Sequence, residues 1–266
     1  MELAPTTRLA AGAQPATGET PRAVLWHDLE CGSYEADLPL WRELAGALAP
    51  GEQILEIGAG TGRVSLELAR HGHAVTALEN DPRLLGELRE RARDLPVTPV
   101  LADAHGFELE RRDFALCLVP MQTLQLFGGE RGRAAFFASA RAHLRPRGLL
   151  ACAVVTRLDS FDCAADGTTP TPEIARVGRE LYCSEVVSVR SGRRGTRIER
   201  RRIVAAAADA AGPAQRTSER YVVELDPVDA FSLEREACAA GLSPSERLMI
   251  PSTEDYAGSL VLSFHA

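Results

Sequence analysis

The chain has 266 residues, 45% of them hydrophobic and 25% charged, which is ordinary for a globular protein and long enough to bury a full core. Its net charge of −7 argues against a surface built for duplex nucleic acid, and no apolar run is long enough to span a bilayer. All 30 basic residues are Arg, a bias of the whole composition that lowers the functional weight of any one Arg cluster. The six cysteines (Cys31, Cys117, Cys152, Cys163, Cys183 and Cys238) form no C-x-x-C pair. They suit reduced thiols better than a disulfide framework or a zinc site.

Residues 1–22, rich in Ala, Pro, Thr and Gly, lack the apolar stretch of a signal peptide and are expected to be a disordered leader of a cytoplasmic protein. Two helical stretches follow within 23–48, the clearer one carrying Leu38, Trp41, Leu44, Ala45 and Leu48 at helical spacing. Pro50-Gly51 breaks the chain. Next comes Gln53-Ile54-Leu55-Glu56-Ile57-Gly58-Ala59-Gly60-Thr61-Gly62-Arg63, an apolar strand running into a glycine-spaced turn, and then a helix to about His71. Strand, turn and helix in this order let backbone N–H groups approach a ligand closely. The dinucleotide fingerprint G-x-G-x-x-G needs a third Gly at position 63, where Arg63 stands. What is present is E-x-G-x-G-x-G, and a second acid, Glu79, ends the next apolar strand (74–78).

This set resembles motif I of the class I S-adenosylmethionine (SAM) dependent methyltransferases, followed by that family's ribose-binding acid. The resemblance implies a doubly wound, seven-stranded, mostly parallel Rossmann-like sheet, with SAM as cofactor. It implies a cofactor site made of Glu56, Gly58, Ala59, Gly60, Gly62, Arg63, Glu79 and Asn80, with Asp103 and Ala104 after the third strand and Val119 and Pro120 after the fourth. In that family the helices ahead of motif I fold over the cofactor, so 23–50 are expected as lid helices. His27, Glu30, Tyr34 and Asp37 then become candidates for the acceptor pocket. His71 and His73 form an H-x-H pair, but in a turn at the far end of the sheet, and no metal site is expected.

Asp81 and Pro82 open the second core helix as N-cap and first helical residue. The third strand (98–101) leads to Asp103 and His105, and the fourth (114–119) to Val119-Pro120-Met121-Gln122. Methyltransferases of nucleobase amines usually carry Asn/Asp-Pro-Pro-Tyr at this point. Its absence weighs against adenine or cytosine as acceptor, and leaves Met121, Gln122 and Gln125 to meet one. A helix over 133–144 and an apolar strand over 149–155 complete a core of residues 51–155.

Residues 156–225 break the pattern and read as an antiparallel β insert of three strands (182–190, 197–206, 220–225) behind a loop over 159–172. Arg190, Arg193, Arg194, Arg197, Arg200, Arg201 and Arg202 crowd into its first hairpin, without the interleaved aromatics of a single-strand binder, and read as a charge-protected edge. The remainder, 226–266, supplies a last helix and two strands that resemble the antiparallel close of the methyltransferase sheet; that topology makes Thr253, Asp255 and Tyr256, in the loop between them, candidates for the acceptor pocket. The expected reaction is methyl transfer from SAM to O or N of a small molecule, in a monomer or homodimer. His27, Tyr34, His105 and Tyr256 are the candidates for a base. The alternatives are an RNA or protein methyltransferase docking through the Arg hairpin, or a SAM-binding protein without catalysis.

Overall fold

The computed structural model describes residues 21–168, 170–206, 215–254 and 256–266; the expected leader falls almost wholly outside them, as does Asp255. Its elements are α1 (Arg22–Cys31), α2 (Leu38–Gly46), β1 (Gln53–Ile57), α3 (Arg63–Arg70), β2 (Ala74–Glu79), α4 (Pro82–Arg91), β3 (Val97–Leu101) and β4 (Phe114–Val119). A 3-10 turn (Thr123–Leu126), α5 (Glu130–His143) and β5 (Leu144–Val154) follow. Then come β6 (Phe161–Asp162), α6 (Cys163–Asp166), β7 (Glu173–Val177), β8 (Glu180–Gly192), β9 (Gly195–Ala206) and β10 (Gln215–Leu225). The chain ends with α7 (Ala230–Ala239), β11 (Ser243–Ile250) and β12 (Ser259–His265). The described residues fall into two compact units, one within 34–156 and 226–266 and the other within 21–33 and 157–225.

The first unit is a seven-stranded sheet in the order β11-β12-β5-β4-β1-β2-β3, parallel from β5 to β3 with β12 antiparallel to both its neighbours. This is the doubly wound Rossmann-like sheet. Side chains alternate faces along a strand, and the alternation sorts the core. Leu55, Ile57, Cys117 and Val119 join Phe136, Phe137 and Leu233 of α5 and α7 on one side. Ile54, Leu116 and Leu118 join Trp41, Val64 and Leu68 of α2 and α3 on the other. Glu56, two residues from Ile54, therefore points toward α3. Because β1 to β4 run parallel, the segments that follow them gather at one end of the sheet, where open α/β sheets bind ligands.

The second unit is larger than the three-stranded insert expected. β10, β9, β8 and β6 form one antiparallel sheet with β7 also paired to β8, and the segment expected as loop contains β6 and α6. It also takes α1, so residues 23–50 are not one pair of lid helices: α1 goes with the antiparallel sheet and α2 with the core. The reason is side-chain pairing remote in sequence. Trp26 meets Tyr182 edge to face at 5.2 Å, and Glu30 accepts from Arg202 Nε and Nη2 at 2.8 and 2.7 Å.

Candidate functional site

The glycine turn is shaped by backbone no other residue adopts cheaply. Gly58, Gly60 and Gly62 all have left-handed φ, at 70°, 57° and 99°. A Cβ on Gly58 would stand 2.6 Å from Thr123 Cγ2, and one on Gly62 would strike Leu88 and come within 2.9 Å of Leu66 Cγ. The N–H groups of Gly58 and Ala59 donate to the Leu78 carbonyl at 2.9 and 3.0 Å, which pins the turn to the end of β2.

Two acids frame the turn. Glu79 accepts from Gly60 N on Oε2 at 2.8 Å and from Asn80 N and Asp81 N on Oε1 at 2.8 and 2.9 Å. An ionised carboxylate offers about four lone-pair sites, so about one, on Oε2, is left for a further donor. Glu56 is buried, and Ser65 is its one hydrogen-bond donor among the described residues. Burial pushes its carboxyl up to about 7, against the opposing pull of Ser65 and Arg63. A buried acid this poorly satisfied fits a cationic ligand group, and SAM carries an α-ammonium as well as its sulfonium. The cradle of bare glycine backbone fits the same molecule.

On the far side of the turn the structure assembles a cluster that is only partly visible in the sequence. Arg63 Nη1 donates to Asp37 Oδ1 at 2.5 Å and to the Tyr34 carbonyl at 2.7 Å, while Nη2 donates to Asp37 Oδ2 at 2.7 Å. Asp37 is fully buried and also accepts from Trp41 Nε1 at 2.8 Å. The guanidinium stands 5.3 Å from the Tyr34 ring centroid, and Tyr256 stands 4.9 Å from the same ring. Burial, then Asp37, raises the Tyr34 phenol above its usual range, so it stays protonated at neutral pH. Tyr256 N donates to Thr253 Oγ1 at 3.0 Å and Thr253 N to the Tyr256 carbonyl at 2.9 Å, closing the loop that carries both. Met121 and Tyr256 pack against the buried cluster that contains Tyr34. Met121 holds a left-handed φ of 54°, a strained backbone at the end of β4, and Gln122 beside it is half-buried. Val119 and Pro120 ahead of them are buried, as are Ala59 and Ala104.

Other expected site residues have different work. Gln125 is buried; its Nε2 donates to the Val155 and Asp226 carbonyls at 3.2 and 3.1 Å, and its Oε1 accepts from Val155 N at 2.8 Å. Every hydrogen-bonding group of that side chain is engaged with backbone, at the points where the chain leaves the core and returns to it. Gln125 is therefore a clamp and not an acceptor ligand. His105 lies with Nδ1 2.5 Å from Asp103 Oδ1 and Nε2 3.0 Å from the Phe127 carbonyl. The Phe127 carbonyl and then Asp103 hold its imidazole above its usual range. Both ring nitrogens face acceptors, so His105 is not placed to take a proton. Asp103 itself is exposed, and His105, chiefly through its backbone N–H, holds it below the usual carboxylate range. Glu30 and His27 both belong to the other unit, Glu30 tied there to Ser184 and Arg202 and His27 beside Asp28. Ser65 and Thr123 escaped the sequence reading. Ser65, a polar residue on the buried stripe of α3, carried the one available signal.

Residues 54–148 match a family described as a methyltransferase domain. Among solved structures, the fold is similar to a SAM-bound amino pentose methyltransferase from Micromonospora echinaspora, 20% identical, with a TM-score of 0.67 over 96% of this chain and 100% of that one. It is similar in the same degree, TM-score 0.67, to a sugar N-methyltransferase from Streptoalloteichus, 18% identical over 97% of this chain and 98% of that one. At these identities the likeness is one of fold. Among curated proteins, ribosomal RNA small subunit methyltransferase A of Deinococcus radiodurans is 47% identical over 64 residues, 24% of this chain and 22% of that protein. A dimethyladenosine transferase of Yarrowia lipolytica is 29% identical over 132 residues, 46% of this chain and 42% of that protein. The chain thus spans less than half the length of the curated relatives it matches. These matches place a methyltransferase domain at residues 54–148, within a chain that has the Rossmann-like fold of the methyltransferase structures.

Proposed function

We propose that the protein transfers a methyl group from SAM to nitrogen or oxygen of a small-molecule acceptor. The observation that carries this reading is the packing beyond the glycine turn, where partly buried Tyr256 and Met121 lie against the buried cluster that contains Tyr34, with Gln122 half-buried beside Met121. The apolar and aromatic side chains that are partly exposed there, Met121 and Tyr256, suit an uncharged or amine-bearing small molecule. The chain lacks the acid or carboxamide ahead of Pro120 that nucleobase amino methylation uses.

SAM supplies an activated methyl group on its sulfonium, so the protein's own task is to place the nucleophile and exclude water; approximation of this kind can contribute ~7–11 kcal/mol. Glu56 and Glu79 hold the cofactor at its ammonium and ribose ends, and Asp103 takes the adenine amino group on the oxygen that His105 leaves open. Tyr34, kept protonated, orients the acceptor by hydrogen bonding and does not act as a base. An acceptor amine that arrives unprotonated needs none.

The 47% identical stretch favours RNA as a second reading. The hairpin speaks against it: Arg190, Arg197, Arg200, Arg201 and Arg202 are each paired with a carboxylate, of Asp162, Glu224, Glu173, Glu185 and Glu30 respectively. The test is release of S-adenosylhomocysteine (SAH) from SAM in the presence of a panel of amino sugars and hydroxylated small molecules, with ribosomal RNA in parallel. Turnover on a member of the panel and none on RNA is expected; turnover on RNA alone contradicts the reading.

A further inference from the structure

We propose that Arg63 is a positioning residue that ties cofactor occupancy of the glycine turn to the placement of Tyr34, and through Tyr34 to the acceptor. The inference rests on the functional reading above. In the sequence pattern Arg63 stands among the cofactor ligands. In the structure its fork is directed at the segment that carries Tyr34 and Asp37.

The geometry forms a continuous path. Arg63 is the first residue of α3, directly after Gly62, whose backbone is left-handed and leaves no room for a Cβ beside Leu66 and Leu88. Any ligand that settles the turn also settles the root of the Arg63 side chain. Its far end holds three oxygens at once, two on Asp37 and the carbonyl of Tyr34, within 2.5 to 2.7 Å. A planar guanidinium fixes such a set in one orientation, which a point charge on a flexible stem does not. Tyr34 is then confined between that guanidinium and the ring of Tyr256. Asp37 is locked from behind by Trp41. A buried ion pair gains little net stability over an apolar pair of similar volume, so what this one supplies is position. Linkage makes the effect mutual: an acceptor seated on Tyr34 tightens the cofactor by the same factor.

The experiment maps nitration of the full chain by tetranitromethane, tyrosine by tyrosine, with and without SAH, whose binding is measured in parallel by calorimetry. The variant is Arg63→Met combined with Asp37→Asn, which removes both charges so that neither is left buried alone. In the unaltered protein, saturating SAH is expected to slow nitration of Tyr34 by about fivefold or more. In the double variant SAH binds within about threefold of the original affinity, but Tyr34 reacts at the same rate with and without it. Tyr182 and Tyr221 of the other unit serve as reference rates, and the SAH affinity itself reports that the core unit is folded. Protection of Tyr34 that survives in the double variant overturns the proposal. So does a loss of SAH affinity of about tenfold, which makes Arg63 a ligand of the cofactor itself. If the double variant does not fold, Arg63→Lys is read by the same criterion, loss of protection supporting the proposal and full protection contradicting it. A wild-type protein that binds SAH without protecting Tyr34 sinks this inference alone, whereas one that binds no SAH sinks the functional reading first.

Discussion

Glu56 is the residue on which the electrostatics of the site turn. Its carboxyl, pushed by burial to about 7 from an ordinary 4.5, is more basic in the folded chain than in the unfolded one. The stability it contributes is fully present below the unfolded value and is lost as pH rises through about 7. A cationic cofactor group reverses the preference, because it favours the ionised form. The ionised fraction rises about tenfold between pH 6 and pH 8 for a group titrating near 7, and SAH affinity is expected to rise by a similar factor. Calorimetry at the two pH values, in buffers of different ionisation enthalpy, also reads the proton released on binding. In Glu56→Gln both the pH dependence and the proton release should vanish. A pH-independent affinity in the unaltered protein contradicts the role given to this acid. The pairing of Glu56 with Ser65 had almost no sequence signal, since it depends on which stripe of α3 faces β1.

At the scale of elements, two local constructions hold the site. The glycine turn was legible in sequence because its demands are local: left-handed φ at positions 58, 60 and 62 calls for glycine whatever surrounds it. Gly62→Ala should cost about 1–3 kcal/mol from the backbone alone, with the clash against Leu88 in addition. The expected result is a lower thermal midpoint and weakened SAH binding; an unchanged midpoint would show that the turn relaxes freely. The Gln125 clamp is the opposite case. It joins residue 125 to Val155 and Asp226, the latter 101 positions away, and no periodicity or motif announces such a partner. Gln125→Ala leaves buried backbone groups of Val155 and Asp226 without that side chain, at about 1–3 kcal/mol for each group left unsatisfied. Denaturant unfolding of the variant should show the loss, and an unchanged midpoint would mean that the chain closes over the gap. The helix cap at Asp81, which accepts from Arg83 N at 2.8 Å, was legible for the same local reason as the glycines.

For the whole molecule, the parallel order of β1 to β5 was readable from alternating strands and helices, because each right-handed crossover leaves little choice of topology. The second unit was not. Its membership depends on pairs such as Glu30 and Arg202, 172 positions apart, so a helix adjacent to the core in sequence belongs to the other sheet in space. The Arg-rich hairpin reads in sequence as a charge-protected edge, but its carboxylate partners, most of them from other strands, could not be named there. Among the described residues no helix is long and apolar enough to cross a membrane.

The central claim is that the parallel ends of β1 to β4 build a SAM site and not a dinucleotide site. Titration of the purified protein with SAH, beside an identical titration with NAD, tests it most directly. The account predicts micromolar binding of SAH, weakened about tenfold or more in Glu79→Ala, and no heat from NAD. Binding of NAD with no response to SAH would contradict it.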